Sequence, residues 1–320
     1  MPIEPNLGRI REAQTLLASH FPPTRLVAAS SLSETHSNAY LKLEIDLPTA
    51  SFKPRGALFA LAHNLRNRPI QEVTASSTGN HGAAVAYAAK TLGVSATIFL
   101  PANPNPVKRK RIADLGARIV EAGGADLAHA FQQAKEYSAR PGLFFLNDAT
   151  DPDLPAGPAT IGLEILAQLP QVSAIYVPMG DTALIRGVGA AVRQTNPSVE
   201  IIGVQAERAP SYYLSWKAGH AVSTETCDTC ADGLATRTPE PENVRAIREL
   251  VDDVVLVTED EMLQAIRLLY EHMDVVAEPA GAAATAAFLK QPPSSAPVVL
   301  LVTGGNISES VRLRAGLPLP

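Results

Sequence analysis

The feature that most constrains the fold is an alternation of short, apolar, β-branched runs with longer stretches of helical periodicity. EVTAS (72–76) leads into HGAAVAYAAKTLG, SATIFLP (95–101) into VKRKRIADLG, and ARIVEAG (117–123) into ADLAHAFQQAKEYSA. Further on, SAIYVPMG (173–180) precedes ALIRGVGAAVRQ, and VEIIGVQA (199–206) follows it. DDVVLVT (252–258) then precedes EDEMLQAIRLLYEHM, and PVVLLVTGG (297–305) precedes ISESVRLRAG. Runs such as AIYV and VVLLV are apolar at every position, as a strand buried on both faces requires. The pattern predicts an α/β protein with open, mainly parallel twisted sheets and helices on both faces. A cluster of Pro, Asp and Gly without periodicity, NDATDPDLPAGP (147–158), marks a seam between a shorter first part and a longer second part.

Composition narrows the function classes. With 46% hydrophobic and 18% charged residues over 320 positions, the chain can bury a sizeable core. A formal net charge of −5 gives no electrostatic reason to expect nucleic acid or an anionic membrane as partner. The basic run Lys108-Arg109-Lys110-Arg111 reads as the exposed face of a helix. MPIEPNLGRI lacks the pattern of a signal or transit peptide, and no apolar run approaches the roughly 20 residues that span a bilayer. Two cysteines argue against a disulfide framework, so the expectation is a soluble, cytoplasmic protein. Cys227-Asp-Thr-Cys230 has no second pair to complete a zinc site and reads as two incidental thiols.

Three strand ends pass through a Gly-containing loop into a helix: SSTGNHG (76–82), PMGDTALIRG (178–187) and VTGGN (302–306). In parallel α/β sheets, ligands bind beyond the carboxyl ends of the strands, where helix N-termini offer unpaired N–H groups to anions. The convergence suggests one site for an anionic ligand. GVGAAV (187–192) lies inside a helical stretch and lacks the full G-x-G-x-x-G pattern, so it is not a dinucleotide fingerprint. Against this background ASFKPRGALFA (50–60) stands out. Pro54 suits the first helical position and pushes Lys53 toward an extended conformation at the helix mouth. The helix dipole and partial burial should then lower the lysine pKa, as a Schiff-base lysine requires.

Ser51-Phe52-Lys53-Pro54-Arg55-Gly56-Ala57 resembles the cofactor-lysine motif of the pyridoxal-phosphate-dependent threonine/serine dehydratases, enzymes of fold type II. Ser77-Thr78-Gly79-Asn80-His81-Gly82 resembles their asparagine loop, Ala231-Asp232-Gly233-Leu234-Ala235 their ADG stretch, Glu278-Pro279-Ala280-Gly281-Ala282 their EPAGA segment, and Thr303-Gly304-Gly305-Asn306 their SGGN segment. The resemblance runs in the family's order from about residue 15 to the C-terminus. It implies a cleft between a large cofactor-binding domain (1–68 and 153–320) and a small substrate-side domain (69–152). It further implies Lys53 as the imine-forming lysine that also moves the Cα proton, with Phe52 beside the ring and Asn80 on the 3′ oxygen. Gly180, Asp181, Thr182, Ala183 and Leu184 take the place of the phosphate loop. Thr303 meets the pyridine nitrogen, Glu278 lies near the ring, and Ser77, Thr78, Gly79, Asn80 and His81 hold the substrate carboxylate, His81 acting through its backbone.

The activity so implied is α,β-elimination from a β-hydroxy amino acid, L-threonine or L-serine, giving a 2-oxo acid and ammonia. A serine/hydroxyaspartate racemase-dehydratase and a β-replacement synthase of the same fold are the alternatives. Thr78, where a racemase has the serine that works on the opposite face of Cα, is the second catalytic candidate. The phosphate loop departs from the usual run of glycines, and the Asp181 carboxylate is expected to point away from a dianion. Glu207 matches one position of a cation site found in some relatives, but the next acidic ligand is replaced around Tyr212-Tyr213, so no metal is expected. The chain ends soon after TGGN, which leaves no room for a C-terminal regulatory domain. Tyr212, Tyr213 and Trp216 read as packing or interface residues, and a homodimer or other homo-oligomer is expected.

Overall fold

The structure is a computed structural model that describes residues 5–32, 38–77, 79–102, 104, 106–123, 127–291 and 296–319. Its strands are β1 (Leu26–Ala28), β2 (Ala39–Leu43), β3 (Glu72–Ser76), β4 (Ser95–Leu100), β5 (Arg118–Glu121), β6 (Leu143–Phe145), β7 (Ala174–Pro178), β8 (Glu200–Ala206), β9 (Asp253–Val257) and β10 (Val298–Val302). Its helices are α1 (Leu7–Ala18), α2 (Lys53–Asn67), α3 (Asn80–Leu92), α4 (Pro106–Asp114), α5 (Leu127–Tyr137), α6 (Ala156–Gln168), α7 (Ala183–Thr195), α8 (Ser211–Ala218), α9 (Pro241–Leu250), α10 (Glu259–Met273), α11 (Pro279–Leu289) and α12 (Glu309–Arg314).

The strands form two sheets. One has six strands in the order β1-β2-β10-β7-β8-β9, the other four in the order β5-β4-β3-β6. All pairs are parallel except β1 with β2 at one edge. The central strand β10 shows why the apolar runs are unbroken. Val298, Leu300 and Val302 enter one core with Tyr176 and Val204, while Val299 and Leu301 enter the other with Ile175 and Val177. Successive side chains point to opposite faces, so a strand covered by helices on both sides must be apolar throughout. The four-stranded sheet shares a third core, in which Val73 and Ile98 meet Leu58 and Leu61 of α2.

Every strand expected above is present, and GVGAAV lies inside α7. Arg109 and Lys110 of the basic run on α4 pair with Glu121 and Asp114 at exposed positions, a solvated face. The pattern did not show β1, β2 or β6, nor helices α1, α6 and α9. The strand β2 was hidden by its charge. Lys42, the fourth of its five residues, is fully buried, with Nζ donating to Glu164 at 2.5 Å and to the Thr24 carbonyl at 2.8 Å.

That lysine belongs to a cluster that fixes α2. The buried Arg55 donates through Nε to Glu44 Oε2 at 2.8 Å and through Nη1 to Glu164 Oε1 at 2.6 Å, tying α2 to the end of β2 and to α6. Burial disfavours the guanidinium, but Glu44 and Glu164 outweigh that penalty and keep it charged. Arg55→Leu would leave the buried Glu44 without its hydrogen-bonded cation. We expect a loss of about 3–5 kcal/mol in urea unfolding, and a loss below about 1 kcal/mol would show that the cluster does not hold the helix.

Candidate active site

The carboxyl ends of β3, β7 and β10 open on a single cavity lined by Lys53, Asn80, Asp148, Asp181, Glu278 and Thr303, among others. The start of α2 is sewn to the loop after β10. Phe52 N–H donates to the Thr303 carbonyl at 3.0 Å, and Gly305 N–H donates to the Ala50 carbonyl at 2.9 Å. Ala50 takes the left-handed conformation, φ 51°, to make this turn. Lys53 is the first residue of α2 and Pro54 the second, so the helix begins one residue earlier than the proline suggests. A proline tolerates either place, because N–H groups of the first turn lack helical partners.

The expected lowering of the Lys53 pKa is overturned. Burial does press it down, but the Asp148 carboxylate, whose Oδ2 accepts from Nζ at 2.7 Å, raises it above the ordinary lysine value, with Asp181 and Glu278 adding to the effect. Against the penalty of its burial, the Lys53 ammonium holds Asp148 far below the usual carboxylate range. Nothing in the sequence singled out Asp148. It sits in NDATDP, which reads as a seam, and only the path of β6 brings it to α2.

The asparagine loop begins α3. Asn80 Nδ2 donates to Glu278 Oε1 at 2.5 Å, and Asn80 Oδ1 accepts from Asn306 Nδ2 at 2.6 Å, so three of the segments recognised in the sequence meet at one side chain. Glu278 immediately precedes α11, and a Cβ at Gly304 would lie 2.1 Å from Glu278 Oε1, so a side chain there would displace that carboxylate from Asn80. Gly79 N–H is taken by Ser77 Oγ at 3.2 Å, and no side chain caps α3, leaving the first N–H groups of that helix for a ligand. His81 is buried, its Nε2 hydrogen-bonded to the Leu146 carbonyl at 2.9 Å. Thr303 Oγ1 donates to the Ala280 carbonyl at 3.4 Å at the cavity wall. Thr78 lies outside the described residues.

At the end of β7, Gly180 passes so close to the Ala231–Ala235 stretch that a Cβ would lie 2.1 Å from the Gly233 carbonyl oxygen. Thr182 takes a left-handed conformation, φ 70°, which glycine adopts without strain. Its hydroxyl accepts from the buried Arg186 Nε at 3.1 Å, and no side chain caps α7. Ala183, Leu184 and Ile185 therefore present uncapped N–H groups at the positive end of a helix of 13 residues. The Asp181 side chain bonds within the site. It stays in the cavity wall, with Oδ1 accepting from Thr236 Oγ1 at 3.0 Å. Its neighbour Thr236 was not foreseen as a site residue, although it directly follows the recognised ADG stretch.

A model of the pyridoxal-phosphate dependent enzyme family matches residues 17–304. The chain belongs to that family. It is 39% identical to the L-threonine ammonia-lyase of Thermotoga maritima over 94% of this chain and 75% of that protein. It is 34% identical to the catabolic L-threonine dehydratase TdcB of Staphylococcus aureus over 94% and 89%. Among solved structures, maize serine racemase superposes with a TM-score of 0.90 at 28% identity, covering 97% and 96% of the two chains. The processed threonine deaminase isoform 2 of Solanum lycopersicum gives 0.88 at 29%, covering 98% and 94%. The cofactor is pyridoxal 5′-phosphate, and the residues fit it. Lys53 projects into the cavity beside Phe52, its Nζ 5.5 Å from the ring centroid, and the buried Ser76 Oγ at the wall has no hydrogen-bond partner. The uncapped N–H groups at the α7 N-terminus suit a phosphate group.

Burial, then Asp148, pushes the Asp181 carboxyl up to about 6, with Lys53 opposing. An unfolded chain ionises it near 3.9. Between those values the folded protein holds a proton that the unfolded chain has released, so stability falls as pH rises through this window. We expect Asp181→Asn to leave the melting temperature of the cofactor-free protein little changed at pH 4 and to raise it at pH 7. An equal effect at both pH values would show that the carboxylate is not strained.

Proposed function

We propose that this protein deaminates a β-hydroxy amino acid, L-threonine or L-serine, by α,β-elimination to a 2-oxo acid and ammonia. The observation that carries the reading is Lys53 Nζ in a cavity flanked by the uncapped N-termini of α3 and α7. One helix end suits the substrate carboxylate and the other the cofactor phosphate, so the substrate is oriented with its Cα toward the lysine. The names of its threonine ammonia-lyase and dehydratase relatives support the same activity.

When bound, pyridoxal phosphate supplies an electron sink that makes the Cα proton acidic. The chain supplies the rest. Lys53 would hold the cofactor at its carbonyl carbon and, once released as a free amine, would take the Cα proton. Asn80, fixed between Glu278 and Asn306, faces the ring oxygen, and Phe52 packs beside the ring. Amides of Ser77 to His81 bind the carboxylate, with Thr78 contributing a hydroxyl. Gly180, Asp181, Thr182, Ala183 and Leu184 form the phosphate loop. Thr303 would offer a neutral hydroxyl to the pyridine nitrogen, which would moderate the sink and suit prompt loss of a β-hydroxyl. Glu278 borders the reacting centre.

The six-stranded sheet lies wholly within residues 1–68 and 153–320, and the four-stranded sheet wholly within 69–152, which supports a large cofactor domain and a small substrate-side domain with these bounds. The exposed Leu214 on α8, beside the half-buried Tyr213 and Trp216, supports assembly as a homodimer or other homo-oligomer. No helix among the described residues is long and apolar enough to cross a membrane, and both cysteines are free, which supports work in the cytoplasm. Racemisation is the second reading, favoured by the likeness to maize serine racemase.

The test follows absorbance and 2-oxo acid release from purified protein given L-threonine, L-serine and hydroxyaspartate. Wild type should be yellow and form 2-oxo acid. Lys53→Ala should lose the yellow band and at least about 10⁴-fold in rate, since one side chain serves as both nucleophile and base. A yellow wild type that inverts serine and releases no 2-oxo acid would replace the lyase by the racemase.

A further inference from the structure

Lys53 must be a free amine whenever it bonds carbon and an ammonium after it has taken a proton from Cα, so its extra proton needs a place to go in each turnover. Its partner at 2.7 Å is Asp148, and Asp148 faces a second nitrogen. His81 Nδ1 lies 4.0 Å from the same Oδ2, is buried, and has no hydrogen-bond partner. The other ring nitrogen faces the Leu146 carbonyl at 2.9 Å, and a carbonyl can only accept. Nε2 therefore carries the proton in the neutral ring, which leaves a bare lone pair on Nδ1 turned toward a carboxylate. A buried polar atom without a partner costs free energy, of the order of 1–3 kcal/mol, and calls for a reason.

We propose that Asp148 and His81 form a proton relay for Lys53, with His81 Nδ1 as the place where the lysine's proton rests. This rests on the reading of Lys53 given above. The N–H bond on Nζ breaks as an O–H bond forms on Asp148 Oδ2. That O–H bond then breaks as an N–H bond forms on His81 Nδ1, and the reverse sequence restores the ammonium. Nζ keeps the electron pair, and no oxidant or reductant is involved. Charge is conserved in place: an ammonium–carboxylate pair becomes a carboxylate–imidazolium pair, and Asp148 is ion-paired in both. Bringing Nδ1 from 4.0 Å into hydrogen-bond range needs a movement of about 1 Å.

The surroundings couple the two nitrogens. Burial lowers the His81 pKa, Asp148 raises it, and the positive charge of Lys53 lowers it again, so loss of that charge makes the imidazole a better acceptor. The other groups bearing on the relay are acidic: Asp181 after β7 and Glu278 at the start of α11 act on Lys53, and Glu240 at the start of α9 acts on Asp181. They favour a positive charge in this part of the site without choosing between Lys53 and His81. The relay residues come from α2, α3 and the turn after β6, so the relay spans the loops that surround the cavity.

The experiment uses the holoenzyme and compares wild type with His81→Gln, Asp148→Asn and Asp148→Glu. Glutamine can keep a donor toward the Leu146 carbonyl while it removes Nδ1. Each variant is followed by the visible band of the bound cofactor, by kcat, and by kcat/KM against pH with L-threonine. We expect His81→Gln and Asp148→Asn to keep the visible band and to lose about 10²-fold or more in kcat. In wild type kcat/KM should fall on the acid side as Nδ1 becomes occupied, and this limb should vanish in His81→Gln. The double variant should be no slower than the slower single one, because the two act as a unit. Asp148→Glu should recover part of the rate and the limb. A His81→Gln enzyme with wild-type kcat and an unchanged acid limb would overturn the relay. So would an Asp148→Asn protein that loses the visible band, since Asp148 would then build the site rather than move a proton. Absence of the band from wild type as well would sink the reading of Lys53 itself.

Discussion

Four buried charges hold the start of α2, and the site depends on where that helix starts. Lys42 and Arg55 share Glu44 and Glu164, with Thr24 bridging, in a space that is almost closed to solvent. Isolated charges could not persist there, and two of each sign can only because every one is met by another at 2.5–2.8 Å. Hydrophobic packing alone would let α2 slide by fractions of a turn. Directional ion pairs to β2 and α6 do not, and Lys53 stands two residues before Arg55 on the same helix. Its Nζ is therefore delivered by the scaffold, and the loop 303–305 holds the backbone of Ala50 and Phe52 from the other side.

The site built on this helix is unusually acidic for one that binds a phosphate and a carboxylate. Asp148, Asp181 and Glu278 all bear on Lys53. The phosphate loop accommodates this by relying on main-chain amides, which bring no net charge, while the buried Arg186 engages the Thr182 hydroxyl at the head of α7. The Asp181 carboxylate is tied to Thr236, so it lies in the wall without occupying the helix end. A backbone-lined anion site can tolerate an acidic neighbour more readily than one built from lysines, because its donors cannot be neutralised or drawn away by an ion pair. Thr182 stands in the left-handed conformation that glycine adopts without strain.

The parallel α/β architecture was legible because β7, β8 and β10 are buried on both faces, a pattern that survives any uncertainty in boundaries. What was not legible has a common cause. β2 carries a lysine that only Glu164, far along the chain, makes compatible with a core. Asp148 lies in a stretch whose composition says turn, and it matters only because Lys53 comes within 2.7 Å. The pKa of Lys53 was misjudged for the same reason: dipole and burial can be argued from the local sequence, but a partner 95 residues away cannot. Asn80, Glu278, Thr303 and Gly180 were found because glycine-rich turns and recognisable segments announce themselves locally. Individual charges whose worth is set by a distant partner do not.

That asymmetry bears on how a fold shared by lyases and racemases comes to favour one outcome. Amide-lined pockets at helix ends are consequences of topology, and they bind the same anionic groups whatever follows. Outcome is decided by where protons can stand on either face of Cα. On the lysine face, this chain places a carboxylate and an imidazole in series with Nζ. The residue that the family resemblance would put on the other face is Thr78, whose extra methyl restricts rotation of its hydroxyl compared with serine. Inversion needs a proton donor on the face opposite the base. Elimination needs the base to be freed promptly while the β-hydroxyl departs. Under the relay proposed above, prompt resetting of Lys53 would bias the shared fold toward elimination.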